Sequence, residues 1–446
     1  MKQGVAMDER KRMAGRKREI FGWAMFDVAN SAYTTVVITL VYSAFFVDYL
    51  VPEQSPWRNS LWGFAMAVSS LLAMMLAPIM GALVDLYGGK KRMLMMSLWL
   101  CALATGLLYF VGPGGLIWAL GLIVISNTAW MLSEVFCAAY LTDLADERSM
   151  GWISGLGWGL GYLGGLASLV WVLFGIIQVT PERDLNLYIH QNQLAMVAVA
   201  AFLVLVSLPS LWWLRERRPM ASNIRWQRIW PRLHQRLNAS WHLRQSLPVL
   251  WRFLGIFTLY SAGMAIIIKF FGIYLASELS LTPGEKTAIF LALQLSALLG
   301  ALLFGVLERA IGPKATVILT LLWWAAGVLC IFYLKPLAQW TGQTQNDLFM
   351  LCSVMAGAGL GATQSASRTL VGLLAPRGWS SLVFGLWGVC SRASAILGSL
   401  AFALVADLLS LRQGLLVILA FFLIGALLLL FLPYQRGREQ ALTLVQ

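Results

Sequence analysis

The chain has 446 residues, of which 59% are hydrophobic and 12% charged, with a formal net charge of +13. Ordinary soluble domains carry about 25% charged residues, so this composition excludes a soluble enzyme, a disordered chain and a secreted disulfide scaffold. At about 25 residues per membrane-crossing helix, the length holds about twelve spans, two short tails, one central loop and almost no soluble domain.

The apolar runs predict spans at 21–50, 59–84, 93–111, 116–141, 152–177, 192–214, 249–276, 285–308, 315–334, 347–374, 381–408 and 413–433. The first run holds Asp27 and Asn30. It is too long and too polar for a cleavable signal core, so it reads as an uncleaved first span. An even number of spans puts both termini on one side. That side receives about 24 of the 33 Lys and Arg residues, and the opposite side about five. The positive-inside rule therefore makes both termini and the central loop cytoplasmic. Most of the net charge is spent on orientation, and no nucleic-acid partner is needed to explain it. The expected division is a basic tail (1–20), a six-helix half (21–214), a cytoplasmic linker (215–248), a second six-helix half (249–433) and a tail (434–446).

Within the linker, Arg225, Arg228, Arg232 and Arg236 share one helical face, beside Trp226, Ile229, Trp230, Leu233 and Leu237. Two readings stand. One is an interfacial amphipathic helix against anionic lipid; the other is a plain basic linker. Pro231 is expected to bend or break such a helix. The cysteines Cys101, Cys137, Cys330, Cys352 and Cys390 have no paired spacing and read as small apolar packers. His190, His234 and His242 all fall outside the spans. Trp57, Trp62, Trp118, Trp212, Trp213 and Trp340 lie near span ends and read as interface anchors. Gly159, Gly161 and Gly164 match a dinucleotide fingerprint only formally, because no strand precedes them. They read as a helix-packing ridge. No cofactor or metal is expected.

Polar residues inside spans are costly and mark function by default. Asp27 and Asn30 share a face of span one; Glu134 lies within span four, Lys269 within span seven, Gln364 and Arg368 in span ten and Arg392 in span eleven. Structural ion pairs are the plain alternative, above all for Asp27 and Arg368 near the cytoplasmic ends. Three cations against two anions suggest a cavity for a carboxylate or phosphate, anchored by Arg392 or Lys269. Glu134, or failing that Asp27, is the candidate for a coupling proton.

The two halves carry a faint repeat. GALVDLYGGKKR from Gly81 to Arg92 is echoed by GVLERAIGPK from Gly305 to Lys314. Duplicated six-span units mark transporters. The pattern of Gly81, Asp85, Gly88 and Lys90 resembles the signature loop of the major facilitator superfamily. The resemblance implies an all-α membrane fold of two pseudo-symmetric six-helix halves, with alternating access by rocking. It implies that Asp85 faces the start of span eleven, near Ser380 and Ser381. It also implies that Lys90, Lys91 and Arg92 pair with acids after span four, Asp143 or Asp146. The second copy has Arg309 at the Asp position, with Glu308 beside it.

A narrower likeness covers most of the chain. Trp23 to Tyr33, Ser154 to Gly165, Gly361 to Arg368 and Phe384 to Gly398 resemble blocks in bacterial relatives of the yeast autophagy-linked vacuolar amino-acid effluxer. Cys137, Ala138 and Thr142 in span four, and Ser261, Ala262 and Gly263 in span seven, depart from that branch's polar pattern. Amino acids are therefore not carried over as the substrate. The expectation is a monomeric secondary transporter in a bacterial cytoplasmic membrane, moving a small polar or anionic, amino-acid-like solute, proton-coupled and acting in efflux. A lipid flippase of the same fold is the alternative within transport. A non-transporting receptor or assembly protein lies outside it and lacks a soluble domain to work with. A membrane enzyme would need a catalytic constellation that the spans do not contain.

Overall fold

A computed structural model describes residues 2–221, 229–277 and 283–444. Side chains are described for these residues except 2–14, 59, 241–242, 268–277, 283–287 and 411. Among the described residues every regular element is helical. Twelve helices are long and apolar enough to cross a membrane: Gly15–Leu50, Ser60–Tyr87, Lys90–Phe110, Leu116–Leu144, Glu147–Gly175, Leu185–Trp213, Pro248–Ile267, Ala288–Ile311, Pro313–Phe332, Gln345–Leu374, Ser380–Leu408 and Arg412–Leu430. They follow the apolar runs in order and number. Most begin earlier or end later than the runs by up to seven residues, because a helix keeps its backbone bonds beyond the point where its side chains turn polar, while Arg412–Leu430 ends three residues short. The signature segment is thus mostly helix; only Gly88 and Gly89 separate spans two and three.

Span one is unusual. An α-helix from Lys2 to Ala32 takes in the basic tail, then gives way to a π-helix over Tyr33–Leu40. A short α segment, Val41–Phe45, and a second π-helix, Phe46–Leu50, complete it. The Thr39 hydroxyl donates to the Thr34 carbonyl five residues back at 2.7 Å, following the π register. Such wide turns concentrate at functional sites.

The chain divides into two compact units, residues 1–144 with 160–225 and residues 145–159 with 226–446. In the first, span one packs on span six and span three on spans four and six. Gly164 lies so close to the Val28 carbonyl that no side chain fits between spans five and one. In the second, span eight packs on span ten and span seven on span eleven. The ridge Gly357, Gly361 and Gly300 lets spans eight and ten touch backbone to backbone.

The linker helix runs Ile229–Ser246. Arg225, Trp226 and Arg228 lie outside the described residues. Pro231 neither bends nor breaks the helix. It sits in the first turn, where a missing N–H costs nothing. The apolar face also differs from expectation. Leu233 is 3% exposed and Leu243 is buried, so this face is spent on protein, while Trp230 stays outside at 74%.

Candidate functional site

In the first unit, spans one and four bring Asp27, Asn30 and Glu134 together. The Asn30 side-chain amide donates to Glu134 Oε1 in a short hydrogen bond. Asn30 Oδ1 accepts from the Ser133 hydroxyl at 3.3 Å, and its carbonyl accepts from Trp130 Nε1 at 3.2 Å. One turn away the Cys137 thiol donates to Asp27 Oδ1 at 3.2 Å, while the Cys137 carbonyl accepts from Trp23 Nε1 at 2.9 Å. Cys137 is therefore a partner of Asp27 as well as a packer. From Ser126 to Leu141 every residue of span four is buried except Trp130 and Glu134. These two stand one turn apart on the same face. Trp130 stacks on Tyr33 of the π segment, ring centroids 6.3 Å apart, and the Tyr33 hydroxyl is 2.8 Å from that of Ser126.

The switch segment of this unit is held from several directions. Lys90 Nζ lies 2.7 Å from Asp143 Oδ2 and 3.2 Å from the Ala139 carbonyl. Lys91 and Arg92 do not use acids after span four. Their backbone N–H groups point to Glu216 Oε2, at 2.8 and 3.4 Å. A carboxylate there complements the positive start of helix three. Residues 215–221 form a strap over the turn. Gly89 N donates to the Arg218 carbonyl and Ala221 N to the Tyr87 carbonyl, both at 2.9 Å. The Arg218 guanidinium donates to the carbonyls of Asp85 (2.8 Å) and Leu86 (3.2 Å). Gly88 has φ +81, and a Cβ there would meet the Pro219 carbonyl oxygen at 2.5 Å and the Arg218 oxygen more closely still. The strap, as much as the turn, requires glycine. Gly81 is the helical glycine of this segment, and Asp85 is buried at 8% exposure. Glu19, 4% exposed, accepts from Arg215 N at 3.1 Å and pairs with Arg217 at 2.8 Å.

In the second unit Arg368 is 3% exposed. Its Nε donates to Ser154 Oγ at 3.1 Å, Nη2 to the Ser154 carbonyl at 2.8 Å, and its guanidinium lies 5.4 Å from the Trp158 ring. It ties span ten to the first half of span five and is closed to solvent, unlike a cavity anchor. Gln364, one turn earlier, is the sole half-exposed residue from Gly361 to Gly372. Arg392 is half-exposed on span eleven, which has 11% of its apolar window buried, against 67% for span seven. The side chain of Lys269 lies outside the described residues. Arg309 lies 5.3 Å from the Trp152 ring, while Glu308 is buried against Gly151. Among the described residues no cluster of three metal-ligating side chains occurs.

Sequence reasoning missed Glu216, Arg218 and Glu19. Arg218 counts there only toward topology, and the acids Glu19 and Glu216 flanking the span ends take no part in that reading. Trp130 reads from sequence as an in-span tryptophan, more often packing than cavity-lining; its place on the Glu134 face follows from their i, i+4 spacing.

Residues 57–151 and 148–442 match the model of the vacuole effluxer Atg22-like family. The chain belongs to that family. It is 23% identical over 421 residues to an uncharacterized MFS-type transporter, YxiO, of Bacillus subtilis, covering 94% of this chain and 95% of that one. It is 25% identical over 301 residues to autophagy-related protein 22 of Kluyveromyces lactis, covering 65% of this chain and 59% of the relative. A proton:xylose symporter, XylE, superposes with a TM-score of 0.70 at 13% identity, covering 97% of this chain and 99% of that one. The human organic anion transporter MFSD10 gives 0.69 at 15% identity, with 93% and 99% covered. The fold is that of the major facilitator superfamily. This Atg22-like chain is a multi-pass membrane transporter, not an enzyme.

Proposed function

We propose that this transporter moves a small polar or anionic, amino-acid-like solute by alternating access of two six-helix halves, 21–214 and 249–433, with proton coupling. The observation that carries the reading is Glu134. It is half-exposed on a span otherwise buried from Ser126 to Leu141, and its carboxylate is aimed by Asn30. A polar group held inside a membrane span at that cost marks a solute or ion path. Glu134 serves as the proton carrier, with Asp27 behind it on the same two helices. Arg392 and Gln364, both half-exposed, serve the solute; Arg368 braces span five. The charge asymmetry of the loops supports cytoplasmic termini, and the Bacillus relative supports a bacterial cytoplasmic membrane. The chain works as a monomer in this reading, and its linker helix contributes Trp230 and Arg232 to the lipid interface.

The test is uptake or release of a pooled metabolite mixture by proteoliposomes, with and without a pH gradient. Glu134→Gln abolishes acceleration by the gradient. Arg392→Ala weakens solute affinity about 10- to 100-fold, the worth of one charged hydrogen bond. Gradient-driven transport that survives Glu134→Gln unchanged overturns the coupling assignment; unchanged affinity in Arg392→Ala overturns the anchor.

A further inference from the structure

The start of span one and the end of span six meet at the terminal end of the first unit. There they present a surface that transport does not use. The Ser210 hydroxyl donates to the Gly22 carbonyl at 2.6 Å, and a Cβ on Gly22 would lie 3.3 Å from Trp213 Cβ, so the two helices are locked at this level. Three aromatic rings project outward. Phe21 is 47% exposed, Trp212 66% and Trp213 38%, with Phe21 and Trp213 ring centroids 5.7 Å apart. Aromatic residues at span ends mark the headgroup level of the bilayer. One helical turn farther out from Phe21 come Lys17 and Arg18, both exposed. Two residues beyond Trp213 comes Arg215, also exposed, its guanidinium beside Gly15 of the helix that carries Lys17 and Arg18.

The flanking acids do not neutralise these cations. Glu19 turns inward to Arg215 N and Arg217, and Glu216 is spent on the N–H groups of Lys91 and Arg92. The strap fixes Arg215 in place through its own backbone, so the cations are arrayed before any ligand arrives. The linker helix lacks this arrangement, because its apolar face is turned into the protein.

We propose that Lys17, Arg18 and Arg215, below the Phe21, Trp212 and Trp213 belt, form a binding surface for the headgroup of an acidic phospholipid. The rings lie along the acyl chains and the cations take the phosphate. Each cation near a bilayer surface contributes about 1 kcal/mol toward acidic lipid, which corresponds to about fivefold in affinity.

The full chain in detergent is titrated with phosphatidylglycerol, with phosphatidylcholine of the same acyl chains, and with inorganic phosphate, following the thermal unfolding midpoint. The wild type is expected to respond to phosphatidylglycerol at much lower concentration than to phosphatidylcholine, and not to respond to free phosphate. The triple substitution Lys17→Gln, Arg18→Gln, Arg215→Gln weakens the phosphatidylglycerol response by a factor on the order of 100. A control triple in the second unit, Arg148→Gln, Arg377→Gln, Arg436→Gln, removes equal charge from exposed positions and keeps the response. Lys17→Gln alone, which breaks no contact described above, weakens it about fivefold and serves if the triple does not fold. Equal responses to the two lipids, saturation by free phosphate, or an equal loss in the control triple overturns the proposal.

Discussion

The two copies of the signature segment share a glycine turn and a lysine but are held by different means. In the first unit the turn at Gly88 is covered by the strap, and Lys90 ends on a carboxylate, Asp143, at 2.7 Å. In the second, the turn at Gly312 has open space around it. Lys314 reaches two backbone carbonyls, of Leu430 and Leu432, at 2.8 and 2.9 Å. The tail helix Tyr434–Thr443 packs on spans seven and ten and is joined to span five by the Arg438–Glu147 ion pair. In the first unit the chain beyond the sixth helix folds back on the signature turn; in the second it packs instead on spans seven and ten. The first lock is charged and polar; the second rests on a lysine at a helix C-terminus and on packing of the tail helix.

Gly88 and Gly312 make the sharpest test, because both have φ +81. A side chain at either position pays for a positive-φ extended backbone that only glycine adopts freely, about 1–3 kcal/mol. At Gly88 a Cβ also collides with two strap carbonyls, while at Gly312 nothing among the described residues lies within 4 Å. Gly88→Ala is therefore expected to cost about 3 kcal/mol or more, lowering the unfolding midpoint far more than Gly312→Ala. Equal shifts would mean that the strap does not bind the turn.

The lysines come next. Lys90 is 12% exposed and Asp143 26%, so their ion pair is partly shielded from water. Lys90→Ala and Asp143→Asn are each expected to cost about 1–2 kcal/mol, with the double variant costing little more than either. Lys314→Ala is expected to cost less than 1 kcal/mol, the usual worth of a cation at a helix C-terminus. Unfolding midpoints of the four variants decide it; additive losses at Lys90 and Asp143 would show that the pair is not coupled.

The fold was legible because periodicity and length suffice for spans. Runs of apolar residues at membrane thickness have few other solutions, and all twelve appear in order. The acid cluster was half legible. Asp27, Asn30 and Glu134 stand out as polar residues where polarity is costly. Their partners Cys137 and Trp130 read as packing residues, and Ser133 carries no signal, because only helix rotation reveals what they face. The strap was hidden for another reason. Its cations at Arg215, Arg217 and Arg218 serve orientation in any membrane protein, so composition cannot separate a topological charge from one that grips a carbonyl. The π segment over Tyr33–Leu40 leaves no trace in an apolar pattern, since its register is set by backbone bonds.

The smallest expected effect lies at Tyr434, where the comparison predicts a reversal of sign. Polar groups around the first turn are partnered, so deleting one leaves another stranded and costs stability. The Tyr434 hydroxyl is buried and, among the described residues, has no hydrogen-bond partner. Tyr434→Phe removes a stranded group and leaves none behind, so at neutral pH it is expected to be neutral or slightly stabilising, by no more than about 1 kcal/mol. Burial first, then the nearby Glu147 carboxylate, pushes the Tyr434 phenol up to about 12. A group with a raised folded pKa gives its full stability below its unfolded pKa and loses it as pH climbs through the folded value. Wild-type stability should accordingly contain a component that falls between about pH 10 and about 12. Tyr434→Phe should lack it. Alkaline unfolding curves of the two proteins read this directly. A destabilised Tyr434→Phe at pH 7 would show that the second lock, like the first, depends on a satisfied polar contact, and the contrast between the two units would fail.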